Sequence, residues 1–156
     1  MARAKTSAGL LMYRRVNGAL EVLLAHPGGP LFARKDAGAW TVPKGEYGSD
    51  EEPLAAARRE FEEETGFAPQ AAEYLDLGSV KQRGGKTVRA WAFAGDWDVR
   101  ELRSNTFSLE WPPRSGRQQE FPEIDRMEFF DLDRAREKLN PAQVDFLDRL
   151  VERLPR

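Results

Sequence analysis

The chain has 156 residues, 40% apolar and 32% charged, with a net charge of −2 and no cysteine. That length predicts a single domain over residues 1–156 with one sizeable core, and the composition is globular rather than disordered. The charge excludes a global attraction to double-stranded nucleic acid, the absence of cysteine excludes disulfides and thiol chemistry, and no apolar run could span a membrane. The first fifteen residues hold too short an apolar run for a signal peptide and end on Arg14-Arg15, so a cytoplasmic protein is expected.

In chain order, strands are expected at 8–14 and 19–25, joined by Asn17-Gly18, a strong hairpin-turn pair. His26-Pro27-Gly28-Gly29-Pro30 opens a loop running to about Gly38, and Trp40 to Val42 reads as a short strand leading into Pro43-Lys44-Gly45. A helix follows, then strands at 75–81 and 87–94 joined through Arg83-Gly84-Gly85. The segment 104–123 lacks periodicity, yet Phe107, Trp111 and Phe121 argue against disorder, and it reads as an ordered flap over an active cleft. A late strand is expected at 126–132. Asn140-Pro141-Ala142-Gln143 then caps a final helix whose Val144, Leu147, Leu150, Val151 and Leu154 fall at helical spacing. Strands mixed with two main helices predict an α+β (mixed α/β) fold, a central mixed β-sheet carrying helices on both faces.

The helix after Gly45 is the most informative element. Taking Glu60 as 0°, Glu63 falls at about −60° and Glu64 at about +40°, so three carboxylates share one face. Like charges at that spacing repel, and a hard divalent cation with oxygen ligands reverses the sign of that cost. Leu54, Ala57, Phe61 and Thr65 form an apolar stripe beside the acidic face. Pro53 suits a first turn, either Ser49 or Glu52 serves as N-cap, and Gly66 stands where a left-handed C′ residue is wanted.

Gly45, Glu51 and the run Arg59-Glu60-Phe61-Glu62-Glu63-Glu64-Thr65-Gly66-Phe67 resemble a complete Nudix box. The resemblance implies the α/β/α Nudix sandwich and Mg²⁺-dependent hydrolysis of a nucleoside diphosphate linked to a further group, with Mn²⁺ as an alternative ion. Carried over, the carboxylates of Glu60, Glu63 and Glu64 are metal ligands, joined by the Gly45 carbonyl, and Arg59 braces them through an ion pair with Glu51. The general base is either Glu63 or the downstream Glu123, with Glu120 as runner-up to the latter. Lys44 is placed to meet a phosphate as a point charge, whereas Lys81, Lys86 and Arg89 read as ordinary surface charge. Trp111, Phe107 and His26 are candidate nucleobase contacts. The approach Trp40-Thr41-Val42-Pro43-Lys44-Gly45 resembles that of diadenosine-polyphosphate members, although no tyrosine stands near Arg83, where several of them carry one. The expected partner is a nucleotide or other pyrophosphate-containing small molecule, bound by a monomer or homodimer. The alternative is a Nudix-fold module that senses a nucleotide without turning it over.

Overall fold

In this computed structural model residues 6–155 are described, so residues 1–5 of the N-terminal stretch with its short apolar run lie outside them. The first two strands, β1 (Thr6–Val16) and β2 (Ala19–Pro27), form the expected hairpin. Its turn puts both Asn17 and Gly18 at positive φ, 52° and 81°, which is why that pair suits a two-residue connection. The two strands pair only from Tyr13 to Val16 against Ala19 to Val22. Beyond that they diverge, and the chain after Trp40 fills the gap. Thr41 exchanges backbone hydrogen bonds with Ala25 at 2.8 and 2.9 Å, and β3 (Lys44–Glu46) pairs antiparallel with the start of β1.

The strand expected at 40–42 is therefore corrected. Trp40 and Thr41 make only isolated bridges, and the regular strand begins at Lys44. Pro43 does not break the run because its carbonyl accepts from the Leu10 N–H at 3.2 Å and no donor is asked of it.

Strands β4 (Leu75–Lys81) and β5 (Thr87–Ala94) have the expected bounds. With β8 (Ile124–Asp131) they complete a six-stranded sheet in the order β4-β5-β1-β2-β8, with β3 also paired to β1. The β1–β5 pairing is parallel and the others antiparallel, so the sheet is mixed. Alternation along the strands divides the core in two. Leu10, Met12, Leu23, Trp91 and Phe93 face helix α1 (Pro53–Thr65), while Leu11, Val22, Leu24, Ala90 and Ala92 face α2 (Leu132–Lys138) and α3 (Asp145–Arg153). The result is the expected α/β/α sandwich.

The C-terminal third differs in detail from the expectation. The late strand stops at Asp131, whose side chain accepts from the Arg134 N–H at 2.8 Å and caps α2, a helix the periodicity did not announce. Asn140 caps one turn of 3₁₀ helix at Pro141–Gln143, and α3 starts only afterwards. Leu147 and Leu150 are fully buried in it, but Val151 is 49% exposed on its outer edge. Segment 104–123 is ordered as the hairpin β6 (Thr106–Glu110) and β7 (Gln118–Pro122), with Phe107 opposite Phe121 and their ring centres 6.0 Å apart.

Candidate active site

Helix α1 is fixed at both ends and along one side. The Glu52 carboxylate accepts from the Leu54 and Ala55 N–H groups at 3.1 and 2.8 Å, which makes Glu52 the N-cap, with Pro53 following. At the other end Gly66 adopts φ 80° and donates its N–H to the Glu62 carbonyl at 2.8 Å. Ala56, Ala57, Phe61 and Thr65 bury the inner face against the sheet. With that face held down, Glu60 and Glu64 are carried onto the edge beside β3.

Arg59 organises the acidic face. It forms a two-armed pair with Glu51 at 2.8 and 2.9 Å, and its third nitrogen reaches Glu60 at 2.9 Å and Glu63 at 3.3 Å. The hydrogen bond from Arg59 holds the Glu51 carboxyl below its ordinary range. Glu60 lies over Gly45, where any Cβ would run into its carboxylate. Glu64 accepts from the Lys44 N–H at 3.1 Å. Burial raises Glu60 and pushes Glu64 up to about 8, with Glu60 and Glu123 adding to the effect on Glu64. Burial also lowers the Lys44 ammonium, opposed by the nearby Glu64 and reinforced by Lys86.

Lys44, Gly45, Glu60, Glu64 and Lys86 line a cleft of about 400 Å³ together with Ser7, Glu46, Gln82, Asn105 and Glu123. A larger hollow of about 670 Å³ lies towards the other end of β1, around Arg14, Asp96, Trp97 and Phe129. It contains neither of the half-buried carboxylates Glu60 and Glu64, so chemistry rather than size selects the smaller cleft. As the side chains are set, no three carboxylate or imidazole groups among the described residues stand close enough to grip one ion. The donor set nevertheless fits a hard dication. All of its atoms are oxygens, two of its carboxylates are held above their ordinary pKa by burial, and a bare glycine backbone lies under one of them.

A family model described as the NUDIX domain matches residues 4–150. The chain belongs to the Nudix family. Membership places it among the hydrolases of pyrophosphate bonds. No curated protein sequence matches it. Among solved structures, a C. elegans Ap4A hydrolase in a binary complex is similar at TM-score 0.67 and 20% identity, over 94% of this chain and 96% of that one. The NUDIX domain of Shewanella oneidensis NrtR, solved with ADP ribose, is similar at TM-score 0.67 and 14% identity, over 99% and 91%. A Nudix hydrolase from M. smegmatis, RenU, is similar at TM-score 0.57 and 23% identity, over 94% and 83%. At these identities the likeness speaks for the fold alone.

Of the residues singled out from the Nudix box and its surroundings, the fold brings Lys44, Gly45, Glu60, Glu64 and Glu123 into one cleft. Glu63 stands outside its lining, its side chain 46% exposed and paired with Arg59. Glu51 is the far partner of the Arg59 fork. Glu120 is exposed on β7.

His26 is corrected as a substrate contact. It is fully buried, with Nδ1 2.8 Å from the Asp125 carboxylate and Nε2 2.7 Å from the Lys35 carbonyl, and it packs edge-on against Trp40. Neither ring nitrogen is free, because the side chain ties the loop after β2 to β8. Trp111 and Phe107 do not line the cleft. Phe107 packs on Gly29, and Trp111 stands at the turn of the hairpin, whose base alone supplies Asn105 and Glu123.

Lys86, surface charge by its place in the sequence, lines the cleft, and no sequence pattern points to Gln82, Asn105 or Ser7, which line it too. Glu123 is held in place by the backbone. Its N–H donates to the Asn105 carbonyl at 2.8 Å, the Asn105 N–H donates to the Glu63 carbonyl at 3.0 Å, and the Gly28 N–H donates to the Glu123 carbonyl at 2.9 Å.

Proposed function

We propose that this Nudix domain is a Mg²⁺-dependent pyrophosphohydrolase that cleaves a nucleoside diphosphate linked to a further group. Dinucleoside polyphosphates, diadenosine polyphosphate among them, and nucleoside triphosphates are the leading substrates. The observation that carries this reading is the two-signed cleft, in which half-buried Glu60 and Glu64 face Lys44 and Lys86. A polyphosphate with its counter-ion needs both signs within a few ångströms. The Trp40-Thr41-Val42-Pro43-Lys44-Gly45 approach motivates the dinucleotide choice, and a solved Ap4A hydrolase shares the fold.

Glu60, Glu64 and the Gly45 carbonyl would hold the dication, Mg²⁺ or alternatively Mn²⁺, with Glu63 of the same helix as the third acidic ligand. When bound, the ion neutralises charge on phosphate oxygens and makes water more acidic. Lys44 and Lys86 take the remaining phosphate charge. Glu123 accepts the proton of the attacking water as the bridging P–O bond breaks, so that the water oxygen leaves on one of the two phosphate products. Glu63 is the second candidate for that proton. Arg59, gripped by Glu51, pairs with both Glu60 and Glu63 and so fixes the two carboxylates relative to one another.

Purified protein incubated with Mg²⁺ and a panel of dinucleoside polyphosphates, nucleoside triphosphates and nucleotide sugars should yield new nucleotide peaks. These should vanish in EDTA and in Glu60→Gln. In ¹⁸O-water the labelled product identifies the phosphorus attacked. A NUDIX domain solved with ADP ribose at the same TM-score motivates the second reading, a nucleotide sensor without turnover. Tight nucleotide binding with no product at any metal concentration would select it.

A further inference from the structure

The cleft wall opposite α1 contains a polarised chain of amides that begins in the core. Gln143, fully buried on the 3₁₀ turn before α3, accepts the Val42 N–H at its Oε1, 3.0 Å away. That N–H lies beside Pro43-Lys44-Gly45 and has no other acceptor among the described residues, so reversing the Gln143 amide would orphan a buried donor. Its Nε2 then faces two oxygens, the Thr41 hydroxyl at 2.9 Å and the Gln82 Oε1 at 2.7 Å. Gln82 is fixed in turn, because the reverse setting would bring two NH₂ groups together. Its backbone is also closed into a turn, the Gln82 N–H donating to the Lys86 carbonyl at 2.7 Å. The Gln82 side chain therefore spends its oxygen on Gln143, and its NH₂ is left for the cleft that it lines with Lys44 and Lys86.

We infer that Gln82 is a substrate-contacting residue that donates to a phosphate oxygen of the bound nucleotide, and that Gln143 is the positioning residue that sets which end of the Gln82 amide the substrate meets. The signal is the direction of the hydrogen bonds: Val42 donates to Gln143, Gln143 to Gln82, and Gln82 to the ligand. Lys44, Lys86 and Gln82 then make a donor-only arc facing the carboxylates of α1, suited to the part of a phosphate chain that the dication does not cover. This inference rests on the hydrolase reading for its substrate class, and on hydrogen-bond geometry for the residues.

Gln82→Glu gives the sharpest test. The carboxylate can still accept from Gln143, but it presents a charged acceptor where the amide presented a donor. Gln82→Ala should raise KM for the hydrolysed nucleotide roughly ten-fold, and Gln82→Glu roughly a hundred-fold, with kcat within about three-fold. Gln143→Ala should raise KM as Gln82→Ala does, and the double variant should be no worse than Gln82→Ala. A purely structural Gln143 would lower the melting temperature and leave KM unchanged, or add to the effect of Gln82→Ala, and either result overturns the positioning role. If Gln143→Ala does not fold, Gln82→Glu decides alone, since Gln82 is only half-buried. Turnover with an unchanged KM in Gln82→Glu overturns the inference and leaves the hydrolase reading intact. If the wild type shows no turnover, calorimetry with Mg²⁺-pyrophosphate still separates the two. Weaker binding by Gln82→Glu supports the donor arc and sinks only hydrolysis, whereas no binding by the wild type sinks both.

Discussion

The two walls of the cleft are built on different principles. On one side, Glu60 and Glu64 come from a single helix, four residues apart, and their placement follows from helix pitch and the burial of Ala57 and Phe61 behind them. On the other, Gln82 and Lys86 flank the β4–β5 turn while Asn105 and Glu123 close the base of the β6–β7 hairpin. That wall is held by single backbone hydrogen bonds between segments far apart in sequence, such as Gly28 to Glu123 and Asn105 to Glu63. The acidic wall is one rigid element that carries charge. The donor wall is an assembly whose order depends on each link. Damage to the first should therefore change chemistry with the fold intact, and damage to the second should change binding and stability together.

The largest expected effect tests the acidic wall. Glu60→Gln or Glu64→Gln should lower kcat by a factor on the order of 10³ while the circular dichroism spectrum stays native. A loss below ten-fold in both would mean that the helix does not carry the chemistry. Next comes pH. Burial lifts Glu64 from an ordinary 4.5 to about 8, so between those values the folded, metal-free protein holds a proton that the unfolded chain has released. Its contribution to stability is fully present below about pH 4.5, falls as pH rises towards 8 and is absent above. At about 1.4 kcal/mol per pKa unit, the loss amounts to a few kcal/mol. Urea unfolding across that range should show the decline, Glu64→Gln should flatten it, and Mg²⁺ affinity should increase over the same window. An unchanged slope in Glu64→Gln would assign the pH dependence elsewhere.

Arg59→Ala removes the brace rather than a ligand. Activity should drop roughly 10- to 100-fold, with little change in melting temperature, since the Arg59 side chain is 39% exposed. On the donor wall, Gly28→Ala would drive a Cβ into the Pro122 carbonyl and prise the hairpin base from the loop after β2. A destabilisation of about 1–3 kcal/mol is expected, with a raised KM as Glu123 shifts. Both readouts staying at wild-type values would show that the hairpin base is not seated by that contact. The smallest effect belongs to Trp111→Ala, at the turn of the same hairpin. Its kcat/KM should stay within about two-fold of wild type, because no cleft contact is lost. A ten-fold fall would mean that the tip reaches the substrate and acts as the flap expected from its aromatic content.

What the amino-acid order decided by itself was everything that depends on spacing within one element. The carboxylate face, the Gly66 cap and the Asn17-Gly18 turn were legible because helix pitch and turn geometry are local rules. The strand bounds at β4 and β5 were legible for the same reason. The Arg59–Glu51 brace, by contrast, came only from the resemblance to the Nudix box. Tertiary packing decided the rest. His26 looks like a loop ligand in the sequence, but two acceptors and Trp40 enclose it. Lys86 looks like surface charge, yet the β4–β5 turn brings it to Lys44. Gln143 lies 61 residues from Gln82, and no pattern along the chain could join them. Such contacts arise where strand pairing and helix docking bring distant segments together, so they can be read only from the folded chain.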